Sequence, residues 1–412
     1  MTEKKLDRGI LHCDCNSFFA SAEILMRPEL KGRPVAVAGD PDSRHGIVVA
    51  ASMEAKRMGV KTTDTVYVAR KKCPDIVFLA PHHDLYRQIS KKINSIYLEY
   101  TDLVDPFSVD ESFIDLTGTT RYIRGEFVEI ADELRKRVRE EIGITISVGA
   151  SFNRCFAKLA SDMKKPDATT YIPREKMKEI VWPLPVSDML FIGKSTTESL
   201  NRFGIYTIGD LARTDKDTLI SRFGKHGGSM WEYANGNDSE EVHSYYEKRE
   251  VKSVSNGFTF PRDLTNYEEI RSGVNALADT VASRLRDKEL LACTVSVQIK
   301  DKNFHTIQRQ RPMEIPTHLR REIADTAMDL IRENWSGEVP IRLITVGCSD
   351  LVPEGDYGQQ LSFFDNDSLK DREKQERLES AMDSIRKKLG RDSISLGFGN
   401  RPGSRNSSKD KE

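Results

Sequence analysis

Apolar positions in the first half of the chain recur with spacings that predict strands and helices in turn. An apolar run over residues 10–16 predicts a buried strand, and a helix is expected over 18–26. Helical spacing predicts amphipathic helices over 83–100 and 127–142, with a strand expected over 144–148. Shorter strands and helices are expected over 35–38, 46–51, 53–58 and 153–163.

A pair of adjacent acids, Asp110 and Glu111, lies between the two long helices. Apolar residues alternate around the pair, with Phe107 and Val109 before it and Phe113 after it, so a hairpin with the acids at its turn is predicted. Asp-Glu is a poor turn sequence, and adjacent carboxylates repel each other unless a cation is bound. A solvated acidic turn is the alternative interpretation. Strand, helix, hairpin, helix and strand together predict a ferredoxin-like α+β sandwich with the acids on the open face of its sheet.

A third acid, Asp14, ends the strand predicted over residues 10–16. An acid at the end of a strand can reach a site shared with the hairpin acids. Three carboxylate residues can then hold two Mg²⁺ ions, because Mg²⁺ prefers oxygen ligands and keeps phosphate oxygens in its shell. Two such ions stabilise the attacking and leaving oxygens of phosphoryl transfer.

The second half of the chain has a different organisation. A helical, glycine-punctuated region covers residues 183–211 and is expected to end near 223–228, before a polar linker over 235–247. A separate domain is predicted from Lys248 to Ser349, and a tail begins near Pro353. The expected strands and helices of that domain and tail are strands 293–299 and 342–346 and helices 267–287, 316–334 and 367–389, the last ending at Gly390.

Composition narrows the function classes. The formal net charge is -1 with 31% charged residues, so binding to nucleic acid would need local basic surfaces. No apolar run could span a bilayer, and the protein is expected to be cytoplasmic, without a membrane partner. None of the six cysteines forms a Cys-x-x-Cys pair; Cys13 and Cys15 are expected to be buried thiols, and His82-His83 lacks ligand spacing.

Four motifs, at 14–23, 108–112, 147–151 and 156–166, resemble those of the Y-family DNA polymerases, the translesion enzymes of the DNA polymerase IV and UmuC type. They stand in the family's order and spacing, and the resemblance runs from about Ile10 to the tail. It implies a multidomain α+β, right-hand polymerase with a ferredoxin-like palm, small fingers, a helix-hairpin-helix thumb and an α+β little finger. The implied boundaries are palm and fingers 1–172 (fingers about 27–80), thumb 173–240, little finger 241–350 and tail 351–412.

The resemblance implies an error-prone, DNA-directed DNA polymerase that joins dNTPs to a primer on damaged template DNA. Asp14, Asp110 and Glu111 would hold two Mg²⁺ ions, with the backbone carbonyl of Cys15 as a further ligand. No stretch resembles a proofreading exonuclease. Two alternatives are a nucleotide cyclase, which uses a related palm, and a non-catalytic, clamp-bound adaptor; adaptors of this kind lose the carboxylates, whereas this chain keeps all three.

The resemblance also implies a nucleotide site. In the family, the aromatic residue at the position of Phe19 lies under the sugar and excludes a 2′-hydroxyl; without that context Phe19 would be ordinary core. Members of the polymerase IV type usually have Ser-Tyr-Glu-Ala-Arg where this chain has residues 52–56, Ser-Met-Glu-Ala-Lys, a departure that leans toward UmuC. The dNTP contacts implied are Phe18, Phe19, Met53, Lys56, Lys158 and Lys165.

DNA and clamp contacts complete the implied set. Residues 190–196 resemble a helix-hairpin-helix, with Gly193 and Lys194 at the phosphate and Phe191 where the first hairpin glycine would stand. In the little finger, basic residues are expected on DNA, although each alone could be an ordinary surface residue: Lys252, Arg262, Lys300, Lys302, Arg309 and Arg311. The segment Gln360, Leu361, Ser362, Phe363 and Phe364 resembles the motif that binds the bacterial sliding clamp. The protein is expected to be a monomer.

Overall fold

The computed structural model describes residues 7–39, 46–356, 366–390 and 393–394, in two compact units, Met1–Lys248 and Arg249–Glu412. The strands of the first unit are β1 (Ile10–Cys15), β2 (Val35–Ala38), β3 (Val48–Ala51), β4 (Val77–Leu79), β5 (Val104–Pro106), β6 (Glu111–Asp115), β7 (Ile146–Ser151) and β8 (Thr169–Ile172). Its helices are α1 (Phe18–Met26), α2 (Met53–Arg57), α3 (Val66–Lys72), α4 (His83–Leu98), α5 (Thr120–Ile123), α6 (Phe127–Arg137), α7 (Arg154–Met163), α8 (Met177–Ile180), α9 (Lys194–Asn201), α10 (Ile208–Arg213), α11 (Lys216–Phe223) and α12 (Lys225–Ala234).

A five-stranded sheet, in the order β5-β6-β1-β7-β8, forms the centre of the first unit. Strand β1 is antiparallel to both β6 and β7. Side chains alternate across β1: Leu11 and Cys13 face the core formed with α4 and α6, whereas Ile10 packs on the opposite side with Phe113. The order β1-α4-β5-β6-α6-β7 confirms the predicted ferredoxin-like α+β arrangement.

The second face of this sheet is covered, which corrects the expectation of an open face. Helix α7 packs across it, and its Arg154 is only 6% exposed. Its guanidinium group donates to Asp105 at 3.1 Å and lies 4.4 Å from the ring centroid of Phe113. Burial of this arginine is possible because the carboxylate and the aromatic ring compensate its charge.

Pairing with β1 also moves two predicted boundaries. Glu111 was expected at the hairpin turn, but it is the first residue of β6, and its carbonyl closes the turn by accepting from the amides of Phe107 (2.9 Å) and Ser108 (3.1 Å). The strand expected over 144–148 is β7, at Ile146–Ser151, because those six residues pair with the whole of β1. Neither strand boundary is set by the local sequence pattern; each is set by pairing with the neighbouring strand β1.

The other parts of the first unit are a three-stranded sheet, in the order β3-β2-β4, and a helical group, α9 to α12. Residues 223–228 were expected to end the helical region, but only Gly224, at a φ of +63°, separates α11 from α12, which begins at Lys225 and continues to Ala234. The expected linker over 235–247 has no regular structure, yet it packs on the unit: Asp238 accepts from the Cys155 amide at 2.9 Å, and Val242 is buried.

The second unit contains strands β9 (Ser253–Leu264), β10 (Leu290–Asp301), β11 (Thr306–Thr317) and β12 (Ile341–Pro353) and helices α13 (Tyr267–Arg286), α14 (Arg320–Asn334) and α15 (Asn366–Leu389). The strands form one antiparallel sheet, in the order β11-β10-β12-β9, with a core shared by α13 and α14. The strands extend beyond the predicted 293–299 and 342–346. Helix α14 begins later than the predicted residue 316, because β11 still pairs with β10 at Thr317.

Helix α15, predicted over 367–389, packs against the second unit through buried ion pairs. Arg286 of α13 donates to Glu379 and, at 2.8 Å, to Asp383; all three side chains are at most 9% exposed. Gly390, at a φ of +95°, follows the helix as predicted. Among the described residues, no helix combines the length and the apolar character needed to cross a membrane.

Arg286→Ala is expected to destabilise the second unit by about 3 kcal/mol, because two buried carboxylates lose their partner. Thermal or urea unfolding measures the change. Arg321→Ala is the matched control: Arg321 also pairs with α15, at Asp371 (3.5 Å), but both side chains are about 60% exposed, so its loss should cost less than about 1 kcal/mol. Equal unfolding free energies for the two variants would contradict a structural role for the Arg286 pairs.

Candidate active site

Three acids converge at one end of the central sheet. Asp14 is the fifth residue of β1, and the antiparallel register places it directly opposite Glu111 of β6. Asp110 precedes Glu111, and its carbonyl oxygen accepts from the amide of Cys15 at 3.0 Å. Its carboxylate accepts from Ser108 Oγ at 2.7 Å. Pairing across β1 and β6 therefore brings together all three acids that the sequence singled out.

Two lysines from the α7 region stand among these acids. Lys158 Nζ donates to Glu111 Oε1 at 2.8 Å and to Asp14 Oδ2 at 3.2 Å, and Lys165 Nζ donates to the same Asp14 oxygen at 2.8 Å. The Asp162 carboxylate bridges the two lysines, with Oδ2 at 3.2 Å from Lys158 Nζ and Oδ1 at 2.8 Å from Lys165 Nζ. The ammonium groups offset the repulsion that three neighbouring carboxylates would otherwise suffer.

The pKa values of the paired acids Asp14 and Glu111 are shifted in opposite directions. Burial raises the pKa of Asp14 to about 6, against the lowering effect of Lys165. Burial also acts to raise the pKa of Glu111, but contacts with His12 and Lys158 outweigh it and hold that pKa below its ordinary value. A proton added to the pair therefore resides on Asp14. Burial acts to lower the pKa of Lys158, yet its bonds to Glu111 and Asp14 raise it, so this lysine stays charged at neutral pH.

His12 is a site neighbour that the sequence reasoning missed. It is fully buried behind Glu111, with Nε2 at 3.7 Å from Oε2 of that acid and Nδ1 at 2.8 Å from Ser161 Oγ. Burial lowers the pKa of His12 to about 4, so the ring is neutral at neutral pH. A signal was present in the sequence, because His12 and Asp14 are two apart on a strand and share one face.

A cleft of about 410 Å³ opens beside the acids. Its lining includes Phe19, Met53, Lys56 and Lys165 together with all three acids. Lys56 Nζ donates to Ser17 Oγ at 2.9 Å, and Ser17, at a φ of 52°, precedes α1 in the left-handed region. Of the predicted nucleotide residues, Phe19, Met53, Lys56 and Lys165 thus share one cavity, whereas Lys158 is not part of its lining. Phe18 also borders it, but its ring is 2% exposed and belongs mainly to the core.

The predicted DNA contacts lie elsewhere. Phe191 takes a positive φ of 67°, the backbone conformation for which a hairpin glycine is favoured, and Gly193 is the N-cap of α9. The Lys194 side chain is 93% exposed. In the second unit Lys252 is exposed, while Arg309 donates to Asn334 at 2.9 Å and Arg311 to Glu333 at 2.6 Å, both at the end of α14.

Two further predictions concern the segment that resembles a clamp-binding motif and the two cysteines of β1. The segment 360–364, resembling the clamp-binding motif, lies outside the described residues. Cys13 and Cys15 are buried free thiols, as expected, and burial raises the pKa of Cys13 to about 12.

The donor set of the acidic cluster suits a hard divalent cation. Asp14, Asp110 and Glu111 offer carboxylate oxygens, and the Cys15 carbonyl lies beside them at the end of β1; oxygen-only sets of this kind are typical of Mg²⁺. Within the described ranges, no three His, Cys, Asp or Glu side chains already have the spacing of a metal site. The ammonium groups of Lys158 and Lys165 supply positive charge at Asp14.

Comparisons with known proteins identify the family of the chain. Residues 13–162 match the model of the impB/mucB/samB family, and residues 251–363 match that family's C-terminal domain. The chain is 42% identical to a DNA polymerase IV of Acetivibrio thermocellus, over 95% of this chain and 98% of that protein. It is 40% identical to a DNA polymerase IV of Moorella thermoacetica (93% and 94%) and 36% identical to one of Bacillus velezensis (95% and 92%).

A solved structure, a Y-family DNA polymerase chimera, shares the fold, with a TM-score of 0.73 at 20% identity over 84% of this chain and 99% of that one. Fold and relatives together define the class: the chain has the fold of a Y-family DNA polymerase, and its sequence relatives are named DNA polymerase IV. The chain belongs to the impB/mucB/samB family. The three relatives above are named DNA polymerase IV, so they lend no support to the lean toward UmuC at Met53 and Lys56.

Proposed function

We propose that the acidic cleft is where the chain joins a dNTP to a primer 3′-hydroxyl on template DNA. One observation carries the proposal: a single cleft contains Asp14, Asp110 and Glu111 together with Lys165 and Phe19. The primer oxygen would attack the α-phosphate, and pyrophosphate would leave. The presence of all three acids argues against a non-catalytic adaptor.

The family is metal-dependent, and we propose Mg²⁺ as the metal, two ions per active site, held by the three acids and the Cys15 carbonyl. When bound, such ions lower the pKa of the primer hydroxyl and neutralise charge on the transferring phosphate. The chain's own part is positioning: Lys165 and Lys56, which both line the cleft, would bind triphosphate oxygens, while Lys158 holds Glu111 in place.

Primer extension tests this function directly. With Mg²⁺ and all four dNTPs, the protein should extend a primer across an intact template and past an abasic site. Addition of EDTA should stop extension while the far-ultraviolet circular dichroism spectrum stays unchanged. Failure to extend the intact template would overturn the proposal.

The remaining assignments follow from the same family. We propose that the five-stranded sheet is the palm, the three-stranded sheet the fingers, α9 to α12 the thumb and the second unit the little finger. Gly193 and Lys194 would bind a template or primer phosphate at the start of α9, where backbone amides are free to donate. Lys252, Arg309 and Arg311 would contact the backbone of the duplex, the last two after leaving their partners on α14. We propose that the protein works as a monomer.

The segment 360–364 is proposed to bind the sliding clamp, with Phe363 and Phe364 as its anchors. Replacing both with alanine should abolish stimulation by a loaded clamp, a loss of about tenfold or more, because tethering raises the effective concentration at the primer. Synthesis on a short oligonucleotide without clamp should be unchanged. Both activities are measured by primer extension.

Leu389→Ala is the control, since Leu389 is an apolar residue near the same end of the chain, 75% exposed. This variant should keep full clamp stimulation. If the double variant is stimulated as strongly as the natural chain, segment 360–364 is not the anchor.

A further inference from the structure

A buried carboxylate stands one helical turn beyond Phe19 on α1. Glu23 has no exposed surface, yet three side chains converge on it. Tyr86 Oη donates to Oε1 at 2.7 Å, His82 Nδ1 lies 2.8 Å from the same oxygen, and Arg27 donates to Oε2 at 2.6 Å. Burying a carboxylate is costly unless it is paired in this way, so the arrangement must contribute something that an apolar residue would not.

Tyr86, on α4, connects this carboxylate to Phe19. Its ring stacks on the Phe19 ring, with centroids 4.1 Å apart and planes inclined by 13°. Its hydroxyl donates to Glu23 and accepts from the His82 amide at 3.0 Å. Because Phe19 and Glu23 are four residues apart on one helix, they share a face, and a single tyrosine reaches both. The tyrosine ring is thus held at its face and at its hydroxyl.

The Phe19 ring has little freedom to move away from the cleft. Phe18 and His83 lie at centroid distances of 5.8 and 6.0 Å, and Tyr86 occupies the stacked position. A side chain that excludes one hydroxyl group does so by steric clash, and a clash discriminates only if the side chain cannot retreat. The support behind the ring therefore matters as much as the ring itself.

We propose that Glu23, acting through Tyr86, is a positioning residue that holds Phe19 in place and so sets the preference for deoxyribonucleotides over ribonucleotides. The inference rests on the proposed role of Phe19 at the sugar. It assigns a specificity function to a carboxylate that does not line the cleft.

Tyr86→Phe is the sharpest test, because it removes the hydroxyl and keeps the stacked ring. The ratio of kcat/KM for a dNTP to that for the matching ribonucleotide should fall about three- to tenfold, the range that one hydrogen bond accounts for. The fall should come from faster ribonucleotide incorporation. Glu23→Gln, which keeps an acceptor for Tyr86 but loses the charge, should lower the ratio less. A purely structural role would slow both nucleotides alike and leave the ratio unchanged.

Tyr100→Phe is the matched control. It also removes a tyrosine–glutamate hydrogen bond from the first unit, Tyr100 Oη to Glu133 at 2.6 Å, but neither residue lines the cleft. Its ratio should equal that of the natural chain. If Tyr86→Phe has the same dNTP-to-ribonucleotide ratio as the natural chain while Phe19→Ala has a lower one, the role of Glu23 is disproved and that of Phe19 stands. A natural ratio in Phe19→Ala would overturn both.

Discussion

Asp110→Asn should reduce primer extension by about a thousandfold or more, with binding to primer-template DNA nearly unchanged. The substitution preserves size and removes the charge that would compensate a cation at the transferring phosphate, a type of contact that acts mainly in the transition state. The fold should tolerate it, because the Asp110 group that pairs with Cys15 is the backbone carbonyl. Extension rates at saturating Mg²⁺, with fluorescence anisotropy for DNA binding, measure the two effects separately.

Asp115→Asn supplies the control for this result. Asp115 is the last residue of β6, the strand that directly follows Asp110, and it lies at the end away from the cleft, where it bonds to Arg8 and Thr117. Its replacement should leave extension largely intact. Substantial extension by Asp110→Asn, under conditions that saturate the natural chain, would show that Asp110 is not part of the catalytic cluster.

The second large effect is expected at Phe19. Phe19→Ala should raise ribonucleotide incorporation relative to deoxynucleotide incorporation by roughly a hundredfold, because the clash with a 2′-hydroxyl disappears. Single-nucleotide insertion, with a dNTP and then with the matching ribonucleotide, gives the two efficiencies. The removed ring leaves space above Tyr86 in which the additional hydroxyl fits.

A size series at the same position controls for general damage to the site. Phe19→Tyr should keep the natural preference and Phe19→Leu should fall between it and alanine, since exclusion depends on the volume facing the sugar. A preference that is the same in all three variants would mean that Phe19 serves only to pack α1 against α4.

Elements with a strong helical period were predictable from the sequence alone. The helix predicted over 267–287 is α13, at Tyr267–Arg286, and α15 begins within one residue of its prediction. In contrast, β4 and β8 were not predicted. They are strands of three and four residues that exist because β2 and β7 pair with them, and such pairing leaves little pattern in the short segment itself.

The candidate site shows the same difference between residues that local sequence identifies and residues that only tertiary contacts identify. Asp110 and Glu111 could be identified because adjacent acids at a poor turn are unusual in local terms, and Asp14 because it ends an apolar strand. The spacing of His12 and Asp14 indicated a shared strand face, but the contact of His12 with Ser161 could not be predicted, because the two residues are 149 positions apart in the chain. The burial of Arg154 could not be predicted for a related reason: its partner Asp105 is 49 residues distant. Charged residues are usually exposed, and only the tertiary structure identifies the exceptions.

The lysines among the acids offset part of the negative charge of the cleft. Because Lys158 and Lys165 are bonded to Asp14, repulsion among the carboxylates at the ends of β1 and β6 is reduced without a bound cation. A metal-depleted preparation should therefore stay folded and be ready for immediate reconstitution. The same lysines would raise the concentration of divalent metal needed to fill the proposed site. A metal ion would have to compete with the two ammonium groups for the Asp14 carboxylate. Under the proposed function, the cleft would therefore give up some metal affinity and would keep its shape between catalytic cycles.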